Sequence, residues 1–410
     1  MIRALAPLVL LGLVATGCTP GGNASTAPDQ IIIASDLPVS GFEAGARPME
    51  EAIEFAIHEQ GSIGGFKLGY WSLDNSLAAN ANAVRAVGNV ERMIAERRVL
   101  GMVGPYTSGV AIQAIQVANP SDLVMVSPTV TDFCLTRAAS HCDPMPFCTG
   151  HAGCAVNLFR ITPPDPIQGM AMARYAAANL NVKRVAAVNE LGADGNQYIK
   201  EFAAELTSAG GELVFQDDFE AGTTDFTGFL NTAKNKGAQA IYVVGYGNDR
   251  ICSVRAQMNT LLPEAYFLAT DAVMDEPSPC IKDAVDPVRM LTTHADVDPT
   301  ASPDSSVKAH VDAYLKAHPK ASDVSGYTFA AYDCARILID AIARAIQSNH
   351  GAIPTRAQVV AAVAQTHEFK GVTGTYSFDA NGDAQFPMMS IMEVRDGKWV
   401  YLQKIDASSS

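Results

Sequence analysis

The sequence predicts an α/β protein of two lobes, each a doubly wound parallel sheet, and three observations predict it. Short β-rich runs alternate with longer amphipathic stretches from Ile31 onward. The alternation breaks off at a cysteine-rich segment and then restarts. The chain, at 410 residues, is long enough for two cores of ordinary size rather than one.

The first series runs IIIASDLP, ARPMEEAIEFAIHEQ, LGYWSLDN, ANAVRAVGNVERMIAERR, VLGMVGPY, a short helix and LVMVSPT. That β-α-β-α succession makes parallel strands with helices on both faces. The second runs VKRVAAVNE, a helix near 197–209, GELVFQDDF, FTGFLNTAKNKG, AQAIYVVGYG, a further helix and EAYFLAT. A third section opens with strand-like RMLTTHADV and continues in three helical stretches, SSVKAHVDAYLKAH, GYTFAAYDCARILIDAIARAIQ and TRAQVVAAVAQTH. The end is β again: GVTGTYSFDANGD carries an Asn-Gly turn, and MMSIMEVRDGKWVYLQKI reads as a hairpin around Asp396-Gly397. Asp406 to Ser410 reads as a frayed tail.

Ahead of this body, MIRALAPLVLLGLVATGC has one arginine, an apolar run from Ala4 to Ala15 and small residues before Cys18. This is the pattern of a secretory leader, with a run too short to span a bilayer. Its ending resembles a bacterial lipobox, which would make Cys18 the lipidated N-terminus, although Ala15 stands where Leu or Val is preferred. Ordinary cleavage to a free secreted chain is the other reading. TPGGNASTAPDQ then reads as a flexible tether. A net charge of −14 without a Lys/Arg cluster argues against nucleic-acid and anionic-membrane partners.

Ligands of open parallel sheets sit outside the carboxyl ends of the strands. In VGPYTSGVAIQA a helix starts near Ser108, which reads as its N-cap, and a helix N-terminus also suits an anion such as a carboxylate. In SPTVT, Thr129 and Thr131 fall on one side of an extended segment. Their hydroxyls can meet a carboxylate or an ammonium, or merely close the turn.

Taken in order, VGPYTS, SPTVTDFCLT, RVAAVNELGADG, AIYVVGYGND, YFLATDAV and GYTFAAYD closely resemble the type I periplasmic binding proteins of the leucine/isoleucine/valine-binding class. The resemblance spans Ile31 to about Tyr401. It implies lobes of 31–159 plus 294–363 and of 160–293 plus 364–403, after a leader of 1–18 and a tether of 19–30 and before a tail of 404–410, joined by a hinge that closes on an amino acid. It further implies that the ligand carboxylate meets Ser108 and Thr131. The ammonium would meet the carbonyl of Thr129, the hydroxyl of Thr131 and the carboxylate of Asp271, with Tyr246 packing over the ligand. Asp194 stands where the family has a second tyrosine, which puts the ligand's identity in doubt. Phe42 and Tyr106 are candidates for the side-chain end of the pocket; Arg47 and Tyr327 receive no role. The partners implied are a small zwitterion and the permease and ATPase of an ABC importer, for a monomer anchored outside the cytoplasm, with no cofactor and no metal. A ligand-sensing module serving a signalling partner is the alternative.

Seven of the eight cysteines remain to be placed. In an exported chain disulfides are the default. Cys134, Cys142, Cys148 and Cys154 fit two bridges, adjacent or nested, bracing an insertion; with His141 and His151 a metal site is formally available, against the usual ligand spacing. Cys252 and Cys280 follow two second-lobe strands and could form a third bridge, while Cys334 in an apolar helix reads as a buried thiol. The chain shows no Ser/His/Asp order, no phosphate loop and no His/carboxylate metal motif, which argues against an enzyme.

Overall fold

A computed structural model of the chain describes residues 30–40, 46–78, 80–138, 142, 155–190, 192–220, 222–245, 249–274, 280–281, 289–300, 302–319, 324–385 and 388–407. The leader with Cys18, and also Phe42, Tyr246, Cys148, Cys154, His141 and His151, lie outside the described residues, as does the side chain of Asp194. Among the described residues no helix is long and apolar enough to cross a membrane.

The first half runs β1 (Gln30–Leu37), α1 (Ala46–Gln60), β2 (Ser62–Ile63), β3 (Phe66–Asp74), β4 (Ser76–Leu77), β5 (Asn80–Ala81), α2 (Ala83–Ala95), β6 (Val99–Val103), α3 (Ser108–Ala118), β7 (Val124–Ser127) and β8 (Leu158–Arg160). It continues through α4 (Pro166–Asn179), β9 (Arg184–Asn189), α5 (Ala193–Ser208), β10 (Glu212–Asp218), α6 (Thr227–Asn235), β11 (Ala240–Val244), α7 (Asp249–Leu261), β12 (Tyr266–Ala269) and β13 (Met290–His294). The last section holds α8 (Ser305–Ala317), α9 (Gly326–Ser348), α10 (Arg356–Ala364), β14 (Phe369–Lys370), β15 (Thr375–Tyr376), β16 (Met388–Arg395) and β17 (Lys398–Asp406).

Beside the small antiparallel pairs β4-β5 and β14-β15, two large sheets form among the described residues, ordered β2-β3-β1-β6-β7-β8 and β10-β9-β11-β12-β13-β16-β17. Pairing is parallel except where β2 joins β3 and where β16 and β17 close the second sheet. Strands covered on both faces need apolar residues throughout, and β6 and β11 are buried along their whole length. Residues of α1, α9 and α10 share a core with one face of the first sheet, and residues of α2 and α3 with the other. On the second sheet α6 and α7 cover one face and α4 and α5 the other. The predicted α/β, doubly wound architecture with two parallel-sheet lobes is the one observed. The terminal hairpin turns at Asp396 and Gly397, both at positive φ, 50° and 71°, as a tight turn between twisted strands requires.

Three expectations change. β17 runs to Asp406 and Ala407 is buried, so the body extends past the expected tail boundary at 404. Helix α5 begins at Ala193, earlier than residue 197, which puts Asp194 inside its first turn. The chain also does not return to the second sheet at residue 364. Val372, Tyr376, Phe378 and Ala384 pack in the core of the first sheet. Asp333 of α9 holds this segment by accepting hydrogen bonds from the Val372 and Thr373 amides, each at 2.8 Å, and from the Thr373 hydroxyl at 2.7 Å. The segment through Ala384 therefore belongs with the first sheet, and the second sheet resumes with β16 at Met388.

Disulfides join Cys134 to Cys142 and Cys252 to Cys280, and Cys334 is a buried thiol. The adjacent pairing is thus the one seen for the first two cysteines of the insertion. Replacing Cys252 and Cys280 together by alanine opens a link of sequence separation 28 and is expected to lower stability by about 2 to 4 kcal/mol, read as a drop in Tm.

Candidate functional site

The carboxyl end of the first sheet is built by two loops tied to each other. β6 ends at Val103, and at Gly104, φ 121°, which follows it, a Cβ would come within 2.9 Å of the Asp36 carbonyl oxygen, so only glycine lets the chain turn away there. Beyond the turn α3 begins at Ser108, but its N-cap is Thr107, whose hydroxyl accepts from the Val110 amide at 3.4 Å. This corrects the reading of Ser108 as the cap. The Ser108 hydroxyl instead accepts from the Asp132 amide at 3.3 Å, so its O–H serves as a donor. The fully buried Ser127 donates to the Pro105 carbonyl at 2.8 Å and accepts from the Val130 amide at 3.1 Å. The Thr129 hydroxyl donates to the Tyr106 carbonyl at 2.6 Å. Thr129 therefore braces with its side chain, and its carbonyl is the group it can offer to a ligand.

The second sheet contributes Asp271, immediately beyond β12 in a short 3-10 turn. Its neighbour is Gln168 in the first turn of α4, completely buried. The Gln168 amide nitrogen donates to the carboxylates of Asp271, at 2.9 Å, and of Asp165, at 3.3 Å. Its oxygen accepts from the Asp271 amide at 3.1 Å and the Thr293 hydroxyl at 2.9 Å. Asp165 in turn accepts from the Thr131 and Tyr198 hydroxyls, and its amide donates to the Thr131 carbonyl at 2.8 Å. Both carboxyls are pushed up: Asp165 to about 7 by burial and then by Asp271, and Asp271 by burial against opposing contributions from His294, Gln168 and the Ala272 amide. His294 is ion-paired with Asp296. Burial alone would raise the Asp296 carboxyl, but His294 and the Gly326 and Tyr327 amides at the start of α9 outweigh it and hold it low. Tyr327 lies with its ring 5.4 Å from that of His294. Burial, then the surrounding carboxylates, keep Tyr198 and Tyr327 well above the usual phenol range, so both remain neutral donors.

Ser108, Thr129, Thr131 and Tyr106 thus come together on the first sheet, and Asp271 joins Thr131 through Gln168 and Asp165. Tyr106 also packs against the first-sheet core. Arg47 stays at the surface beside Glu50. Tyr327, given no role from sequence, sits among Asp165, Asp271 and Asp296. Asp165, Gln168, Tyr198, His294 and Asp296 were missed, because an Asp before Pro166 at a helix start reads as a cap and a buried Gln gives no pattern. Among the described residues no group of three or more His, Cys, Asp or Glu is arranged to hold a metal.

Behind the threonines lies a buried ion network. Arg160, at the end of β8, donates to Asp383 at 2.7 Å, to the Asp132 carbonyl at 2.6 Å and to the Thr136 hydroxyl at 2.6 Å. Arg137, inside the Cys134–Cys142 loop, donates to Asp383 and Asp379, each at 2.6 Å. The disulfide loop is therefore tied by charge to the turn at 379–383 that precedes β16 of the second sheet.

Comparison with known proteins adds four findings. The profile of the family described as periplasmic binding protein matches residues 33–398. Leu/Ile/Val-binding protein homolog 3 of Brucella melitensis is 25% identical over 401 residues, covering 97% of this chain and 100% of its own. Among solved structures, a leucine-binding protein from Thermotoga maritima superposes with a TM-score of 0.65 at 25% identity, covering 92% of this chain and 98% of that one. A solute-binding protein from R. palustris in complex with 4-hydroxybenzoate shares the fold with a TM-score of 0.64 at 20% identity, covering 92% of this chain and 96% of that one. The shared fold alone therefore does not select the ligand.

Proposed function

Because the chain belongs to the periplasmic binding protein family, we propose that it captures an amino acid, branched-chain or a related zwitterion, between its two lobes and delivers it to the permease and ATPase of an ABC importer. The observation that carries this reading is the opposition of charge preference across the crossover. On the first sheet, the Ser108 hydroxyl and the N-terminus of α3 are donors suited to a carboxylate. On the second sheet, Asp271 is held by Gln168 as an acceptor suited to an ammonium. A zwitterion satisfies both sides at once, and contacts from both lobes stabilise the closed form. The Thr129 carbonyl and Thr131 hydroxyl complete the ammonium shell. Tyr246 covers the ligand, with Asp194, Tyr106 and Phe42 toward its side chain. The protein performs no chemistry on what it carries. It acts as a monomer, exported through the 1–18 leader and held at the outer face of the membrane by lipid on Cys18.

Titration calorimetry with a panel of amino acids and with benzoate tests the reading. An amino acid is expected to bind while benzoate, which lacks the ammonium, does not. Binding of benzoate with no response to any amino acid would overturn it.

A further inference from the structure

Asp165 occupies the N-cap position of α4, where an aspartate ordinarily accepts from the amides of the first turn. Its side chain makes no such capping bond, and Pro166 follows at the first helical position. The carboxylate is turned instead to the Thr131 and Tyr198 hydroxyls and to the Gln168 amide nitrogen, which it shares with Asp271. Gln168 has each of its polar atoms engaged twice: the nitrogen by Asp165 and Asp271, the oxygen by the Asp271 amide and the Thr293 hydroxyl. One buried side chain thus fixes the end of β12, the end of β13 and the first crossover.

We infer that Asp165 and Gln168 are positioning residues for the ligand's ammonium: Gln168 aims the Asp271 carboxylate, and ionised Asp165 draws the Thr131 proton so that this hydroxyl presents a lone pair. The inference rests on the zwitterion reading above and deepens it. A hydroxyl has one proton to give. When Asp165 is ionised, Thr131 donates to it and accepts from the ammonium. When Asp165 is protonated, the acid can donate to Thr131, the hydroxyl's proton is no longer held away from the ammonium, and the negative charge beside the ligand is lost. Ligand binding therefore favours the ionised acid and releases a proton wherever Asp165 was protonated.

The groups facing Asp165 are Asp271 beyond β12, Arg160 at the end of β8, Tyr198 of α5 and Tyr327 of α9. Burial raises the carboxyls of both Asp165, to about 7, and Asp271. An acid with that value, ionising on binding, makes Kd about tenfold smaller at pH 8 than at pH 6. His294, paired with Asp296, faces Asp271.

The experiment is calorimetry of the full chain with the tightest-binding amino acid at pH 6, 7 and 8, in buffers of differing ionisation enthalpy so that released protons are counted. The wild type is expected to gain about tenfold in affinity with proton release near pH 6. Asp165→Asn keeps the size and the bonds to Gln168 and is expected to give a flat profile. Gln168→Ala is expected to weaken binding at every pH while keeping the slope. A flat wild-type profile, or a slope that survives in Asp165→Asn and so belongs to another group such as Asp271, overturns the relay while leaving the zwitterion reading in place. No amino acid binding the wild type at any pH overturns both. Even if a variant fails to fold, a flat wild-type profile overturns the relay.

Discussion

Asp271→Asn is expected to bind the amino acid about 30-fold to several-thousandfold more weakly than the wild type, with its fold intact. The estimate comes from the cost of leaving one member of a desolvated, hydrogen-bonded charge pair alone, about 2 to 5 kcal/mol. In the bound state the ligand's ammonium would face a neutral amide, with Asp165 as the next acceptor. The same substitution is expected to leave the unliganded protein as stable or slightly more stable. Burial pushes the Asp271 carboxyl up, so holding it ionised costs folding free energy that asparagine does not. The sign follows from the raised value: the native state holds this proton more tightly than the unfolded chain, so stability falls as pH rises through the range where the folded group ionises. Calorimetry and a thermal melt of the same preparation check both halves. Unchanged affinity would remove Asp271 from the ammonium shell, and a melting temperature several degrees lower would make its role structural instead.

This trade of stability for binding explains which parts of the molecule could be read from sequence. Elements that obey a local rule were legible. The alternation of buried runs with amphipathic helices gave both sheets, and Asp396-Gly397 marked a hairpin whose strands do pair from Met388 to Asp406. The loops at strand ends were also legible as places, since a parallel sheet puts its ligand there whatever the side chains. Partnerships across long stretches of chain were not. Gln168 meets Asp271 at a separation of 103 residues and Arg160 meets Asp383 at 223, and neither carries a periodic signal. The return of the chain after α10 was misplaced for the same reason. Tyr376 and Phe378 are ordinary apolar residues in a β-like run, and only the Asp333 contacts and the Arg160–Asp383 pair tell which sheet they cover. Ser108 shows a finer limit: Thr107 and Ser108 are both good caps, and the structure gives the first to the helix and the second to the loop bearing Asp132.

Asp383→Ala is expected to destabilise the protein by about 3 to 5 kcal/mol, the cost of leaving a buried charge without its counterion. The Arg160 side chain has 0% of its surface exposed and Asp383 1%, so the guanidinium would remain buried with only Asp132 O and the Thr136 hydroxyl as acceptors. Arg137 would lose one of its two carboxylates and with it part of the hold on the disulfide loop. Burial alone would raise the Asp383 carboxyl, but the Arg160 and Arg137 guanidiniums outweigh it and hold the group below the usual range. A depressed carboxyl contributes stability that is fully present above its unfolded value, near 3.9, and is lost as pH falls through the folded one. The gap between wild type and variant in urea unfolding should therefore be constant from pH 8 to about pH 5 and shrink below about pH 4. A cost under about 1 kcal/mol would mean that the site relaxes to admit water, as an exposed pair does. Because Arg160 also grips the carbonyl of Asp132, the residue whose amide holds Ser108, the folded fraction of the variant should bind the amino acid more weakly as well. Full affinity in that fraction would separate the network from the binding platform and leave it a purely structural clamp.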